Sequence, residues 1–304
     1  MPDGLSIDPA MPMHQAAPLI IMMLHDALQE THAAIMAHHD DKALHDFRVA
    51  LRRCRAVLRE ISCVDQDSWQ PILQVARGIA QSTNLMRDVD VCRADLLQYP
   101  DITSPPGRAL LRHLSARKAR SMQLVNKELG RVPVLLLQPL AQLAHKNLAG
   151  PCSQDTFGEA ALRIIKKRST VLLRDGGKLK PKSAAWKYHR VRIRAKRLRY
   201  TLENLAPAVE GTIPEQLLGP LKKLQNNLGT LQDIAVQGAL LDTFATRPRI
   251  QDPASVKQFI ETRKLLLKQR KAELRQEYTA LFQDFMQKAR SLPELADKQH
   301  TPPR

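Results

Sequence analysis

A histidine followed by cations at +3, +7, +8 and +10, with apolar residues at +2 and +4, occurs twice in this chain, 144 residues apart. The first copy is His45-Asp-Phe-Arg48-Val-Ala-Leu-Arg52-Arg53-Cys-Arg55 and the second is His189-Arg-Val-Arg192-Ile-Arg-Ala-Lys196-Arg197-Leu-Arg199. The spacing predicts helices. At about 100° per residue, Arg48, Arg52, Arg55 and Arg59 fall with His45 inside an arc of roughly 80°. Phe47, Ala50, Leu51, Cys54, Val57, Leu58 and Ile61 collect opposite, so one face packs and the other is a ladder of cations. Asp40 and Asp41 stand ahead of this helix, where capping and charge both favour them.

The second copy has the same geometry. His189, Arg192, Lys196 and Arg199 share a face, opposite Val191, Ala195, Leu198, Leu202 and Leu205. Glu203 replaces the rung that Arg59 supplies in the first copy, which either shortens the ladder or ties down Arg199 one turn away. Like charges at these spacings destabilise a helix by a few tenths of a kcal/mol per pair. A single basic face can simply be solvated. A face built twice at that cost, and almost free of acids, points to an anionic partner.

The charge balance agrees. The 304 residues include 47 Lys and Arg against 30 Asp and Glu, a net charge of +17. It is uneven: residues 1–150 hold 17 basic and 15 acidic residues, whereas 151–304 hold 30 and 15. Such an excess speaks of polyanionic partners (nucleic acid, anionic membrane, phosphate polymers) and not of fold. Aromatic residues are only 4%, which favours helices over sheets and weakens base stacking as a binding mode. The four cysteines are scattered without a C-x-x-C pair; Cys54 and Cys63 fall at apolar faces and read as small buried hydrophobes of a reducing compartment. No segment approaches the 18 apolar residues of a membrane span, and no basic n-region opens the chain, so a cytoplasmic protein with no membrane partner is expected.

Helical patterns run over about 15–38, 43–61, 68–98, 107–129, 134–147, 156–174, 185–205, 214–244 and 254–291, separated by Pro/Gly-rich breaks. The repeat extends beyond the ladders. Arg77 and Arg87-Asp88 align with Lys222 and Gln232-Asp233 at an offset of 145. The expectation is an all-α fold of two similar units, each resembling a four-helix bundle. Repeat 1 spans about 15–130 and repeat 2 about 156–291, with a connector at 131–155 and flexible ends at 1–14 and 292–304.

No catalytic constellation is visible: no phosphate loop, no H-E-x-x-H, no nucleophile elbow and no paired-carboxylate cluster. Asp88 and Asp233 stand alone among cations and read as anchors that orient arginines. His25, His32 and His39 recur every seven residues, about 10.5 Å along a helix, too far for one metal ion. No metal, no cofactor and no enzymatic activity are therefore expected.

Both ladders, with Leu221-Lys-Lys-Leu-Gln-Asn-Asn-Leu-Gly-Thr-Leu-Gln-Asp233 after the second, resemble the CHAD family, the conserved histidine α-helical domain, over about residues 15–290. The resemblance implies two helical bundles about a basic cavity. It also implies binding of inorganic polyphosphate without catalysis, at polyphosphate granules, alongside polyphosphate-metabolising enzymes or granule proteins. The chain departs from the family at Thr83-Asn-Leu-Met-Arg87-Asp88, where the family has Leu-Gly-x-x-Arg-Asp, and at Glu203. No triphosphatase signature of the kind fused to some relatives is present.

Polyphosphate is a flexible string of negative charge that offers only oxygens, so it needs donors repeated along a groove, with arginine preferred. The candidate binding residues are His45, Arg48, Arg52, Arg53, Arg55, Arg59, Arg77, Arg163, Lys167, His189, Arg192, Lys196, Arg197, Arg199, Lys222 and Lys223. The histidines, at the N-terminal ends of the ladders, either donate to phosphate or bond between helices. Two rival functions remain at this stage: sequence-nonspecific nucleic-acid binding through phosphate contacts, and a polyphosphate phosphohydrolase.

Overall fold

The computed structural model describes residues 7–38, 40–61, 64–146, 148–205, 213–246 and 252–292. Among them the chain is all helical, in the order α1 (Met13–His38), α2 (Asp41–Glu60), α3 (Gln66–Leu96), α4 (Pro105–Gly130), α5 (Gln138–Ala144), α6 (Phe157–Gly176), α7 (Ala185–Leu205), α8 (Ile213–Ala245) and α9 (Pro253–Arg290). The two ladders are α2 and α7.

Helix starts follow local chemistry. The Asp40 carboxylate accepts from the Ala43 N–H at 2.6 Å and caps α2. Asp65 caps α3 and Ser104 caps α4, the latter with Pro105 in the first turn. Thr156 and Glu159 form a reciprocal capping box at α6. Pro133–Leu137 forms a widened π turn that runs into α5, so the connector is itself helical.

Burial follows the stripes read from the sequence. Phe47, Leu51, Cys54, Val57, Leu58 and Ile61 join a core that α1 through α5 build around Ile21, Leu28 and Trp69, closed by the first turns of α6. Val191, Ala195, Leu198 and Leu202 join a second core with the buried faces of α6, α8 and α9. A third, smaller core joins the halves through Val89, Leu96 and Leu110 against Leu241, Phe244 and Phe259. Between the first two cores, α2 packs on α7 and α3 on α8, which brings both ladders together. At Gly176 the α6 backbone passes so close to Phe282 that a Cβ would overlap its ring.

Two local expectations change, and one histidine acquires a structural partner. Residues 7–14, expected as a flexible end, are tied to the connector: Met13 N–H donates to the Asp155 carbonyl at 2.8 Å, and Phe157 N–H to that of Met11 at 2.8 Å. His32, of the histidine stripe too widely spaced for one metal ion, is buried and its Nε2 bonds the Leu129 carbonyl at 2.9 Å. Cys54 and Cys92 are buried thiols, their pKa pushed up to about 12 by burial, but Cys152 is disulfide-bonded, which the reading of isolated reduced cysteines did not anticipate. His39, Cys63 and most of the tail lie outside the described residues.

Candidate polyanion-binding site

The ladders converge where α2, α3, α7 and α8 meet. At the centre, Arg48 and Arg52 of α2 interact electrostatically with Arg192 and Lys196 of α7. All four are half-buried. Burial, then repulsion from Arg192, Arg52 and Arg48, pushes the Lys196 ammonium down to about 7 against only partial support from Asp233. Arg48 is pushed down to about 10 by burial and by Arg52, with Asp88 opposing. Arg192 is lowered by burial, with Asp233 opposing and Arg52 adding to the fall. Asp88 of α3 and Asp233 of α8 lie among these cations, and removal from water raises both carboxyls despite Arg48 and Arg192. Asp233 is the more exposed of the two.

Cations outnumber acids here, and several donors lack acceptors. The Nε atoms of Arg55 and Arg192 are withdrawn from solvent without a hydrogen-bond partner. From the centre the charge continues along α2. Arg55 is lowered by burial and by its neighbours Arg59 and Arg77, so Arg77 of α3 does extend the ladder. Arg59 also lies beside Arg197 of α7, which burial lowers and which Arg168, Arg194 and Glu60 surround.

Other rungs have structural partners. Arg53 Nε donates to Asn204 Oδ1 at 2.5 Å and ties α2 to α7, so it is not a free rung. Arg52 Nη1 donates to the Tyr200 hydroxyl at 3.0 Å, across the same interface. Arg199 is tied by Glu203 at 2.5 Å, the second of the two roles open to that acid. His189 donates through Nδ1 to Gln232 Oε1 at 2.7 Å, a bond between α7 and α8. Arg163 pairs with Asp155 at 2.5 Å and Lys167 is solvent-exposed, so neither is shown as a wall of the cluster. Lys222 and Lys223 are exposed on α8.

At the N-terminal end of the first ladder a recess of about 380 Å³ opens between α2, α3 and α4, lined by Asp41, His45, Arg48, Arg87, Arg93 and Lys118 among others. Lys118 bridges Asp41 at 2.8 Å and Asp90 at 2.9 Å. Arg87 and Lys118 were missed as candidates. The signal for Arg87 was its alignment with Gln232, which bonds His189; Lys118 had none. Arg48 is held by Thr83 Oγ1 at 2.6 Å and Asn84 Oδ1 at 3.2 Å. These two residues stand where the expected pattern has Leu-Gly, so the departure supplies Arg48 with acceptors.

The cluster has no assigned metal position: no group of three His, Cys, Asp or Glu able to hold an ion occurs among the described residues. Among the described residues no helix is long and apolar enough to cross a membrane.

Fold and site together define an all-helical protein with a concentrated, half-buried array of cations where α2, α3, α7 and α8 meet. The CHAD domain matches residues 20–242, most of the chain, and the protein belongs to the CHAD family, a family associated with polyphosphate. Two solved structures share the fold. One is the CHAD domain of the plant Ricinus communis, at 21% identity and a TM-score of 0.69, covering 93% of this chain and 94% of that one. The other is PptA from Streptomyces chartreusis, at 17% identity and a TM-score of 0.65, covering 91% and 99%. No curated protein matches the sequence.

Proposed function

We propose that this protein binds inorganic polyphosphate and does not cleave it. Arg48, Arg52, Arg192 and Lys196 make the central contacts, and Arg55, Arg59 and Arg77 continue the track. The observation that carries this reading is the gathering of Arg48, Arg52, Arg192 and Lys196 in one half-buried cluster, where burial first and mutual repulsion second push Lys196 down to about 7. A polyanion laid among them relieves that repulsion and gives the Arg55 and Arg192 Nε donors their acceptors. A phosphate polymer suits the array better than nucleic acid, because the chain has few aromatic groups for bases to stack on. Arg53, Arg199 and His189 act at one remove, by fixing helices and rungs. Granules of the polymer, and enzymes that make or degrade it, are the corresponding location and partners.

The test is a titration with long-chain polyphosphate, run beside an assay for released phosphate with magnesium present. Wild-type protein binds and releases none. Arg48→Ala with Arg52→Ala, and separately Arg192→Ala with Lys196→Ala, each weaken binding about a hundredfold, at about 1.5 kcal/mol or more per charge-assisted contact. Loss of either pair without effect overturns the two-ladder site. Metal-dependent release that the ladder pairs abolish establishes the hydrolase instead.

A further inference from the structure

The α6–α7 connection carries a second concentration of positive charge, made of residues outside the central cluster. Between Asp175 and Glu203 the sequence has no acid, and its first part reads Gly-Gly-Lys178-Leu-Lys180-Pro-Lys182-Ser-Ala-Ala-Trp186-Lys187. Lys178, Lys180, Lys182, Trp186 and Lys187 are all exposed, Trp186 at 58%. The turn is held in place. Tyr188 donates its hydroxyl proton to the Lys180 carbonyl at 3.1 Å, Arg275 of α9 donates to that of Pro181 at 3.1 Å, and the Lys180 N–H donates to Ser183 Oγ at 2.9 Å. The indole is held too: the Arg190 guanidinium lies 5.0 Å from its centroid and Lys187 Nζ 5.7 Å. Arg190 in turn faces Asp175 at 3.7 Å.

This exposed tryptophan, held among cations at the end of a helical hairpin, belongs to none of the three apolar cores. We infer that this tip docks the protein on anionic phospholipid surfaces. Trp186 would sit at headgroup level and the lysines against the charged lipids. Such a contact lies on the bilayer and needs no span, so it is compatible with the lack of a membrane-crossing helix; it does revise the sequence expectation of no membrane partner. Single-stranded nucleic acid fits less well, because its sites are grooves with successive aromatic platforms and the tip offers one indole. The inference is independent of the polyphosphate reading, which uses other residues.

The chain has two tryptophans, and Trp69 is fully buried, so fluorescence reports on Trp186 directly. Full-length protein is mixed with phosphatidylcholine vesicles, with or without phosphatidylserine, and with the same lipids carrying brominated chains. The expected result is co-sedimentation only with phosphatidylserine, reversed by salt, with bromine quenching of the emission. Each lysine near an anionic surface raises partition roughly fivefold. Lys178→Glu, Lys180→Glu and Lys182→Glu together therefore lower it by at least about a hundredfold, and Trp186→Ala abolishes the quenching. Both variants keep wild-type polyphosphate titrations, which shows that they fold. Absence of vesicle binding overturns the inference. So does binding without quenching, preference for single-stranded RNA over vesicles, or loss of polyphosphate binding in the triple variant, which would make the tip part of the polymer track.

Discussion

Lys196 titrates in the range where the arginines around it stay charged. Its ammonium is pushed down to about 7 from an ordinary 10.5, so it carries full charge only on the acid side of neutrality. A polyanion restores its proton, and binding therefore takes up protons as it occurs. Polyphosphate affinity is expected to fall roughly tenfold between about pH 6 and 8.5, the worth of one charge-assisted contact. Lys196→Arg is expected to flatten the profile. Titration calorimetry in buffers of different ionisation enthalpy measures the uptake, and a wild-type profile as flat as the variant's contradicts the assignment. The same shift bears on stability with the opposite sign. Between the folded value and 10.5 the unfolded chain holds more protons, so this group's contribution to stability improves as pH rises through that window and is worst below it. The site thus holds a cation at the expense of the fold. Arg48 shows a milder version, held by Thr83 and Asn84 where Arg192 has an Nε without a partner.

At the scale of elements, the nine helices among the described residues and nearly all their ends were legible, because Pro/Gly breaks and cap residues act locally: Asp40, Ser104 and Thr156 stand where helices begin. The apolar stripes of α2 and α7 were legible for the same reason. What periodicity could not supply was which neighbour each flank of a ladder meets. Arg53 shares its ladder spacing with Arg52, yet its 100° step turns it toward Asn204 on α7. Arg163 looked like a wall residue until the connector brought Asp155 beside it. The placement of α2 against the second half of the chain rests on such contacts between distant segments. Among them is Glu60, a 5% exposed side chain gripped by Arg168 through Nε and Nη2 at 2.6 to 3.0 Å. Removing one partner of such a pair leaves an uncompensated buried charge. Glu60→Ala is expected to cost about 3 kcal/mol, or roughly 6 °C in Tm for a chain of this size. Chemical and thermal denaturation check this; a variant as stable as wild type would show that Arg168 reaches water without its partner.

For the whole molecule, the charge asymmetry of the sequence becomes a spatial one. Part of the basic excess of residues 151–304 lies on the ladder face of α7 and part at the α6–α7 tip, while α2 and α3 complete the inner array from the other half. An array inside the fold and a charged exterior differ in how they respond to salt. Exposed phosphate contacts are lost steeply as counterions compete, whereas half-buried cations with preset positions are screened less. The decisive measurement is one titration series with long-chain polyphosphate, duplex DNA and RNA at about 50 and 200 mM salt, the interval over which backbone-contact affinity falls by orders of magnitude. Polyphosphate binding that persists at the higher salt while both nucleic acids are released is the predicted result. Equal or stronger retention of DNA or RNA would contradict it and make the ladders a general polyanion surface.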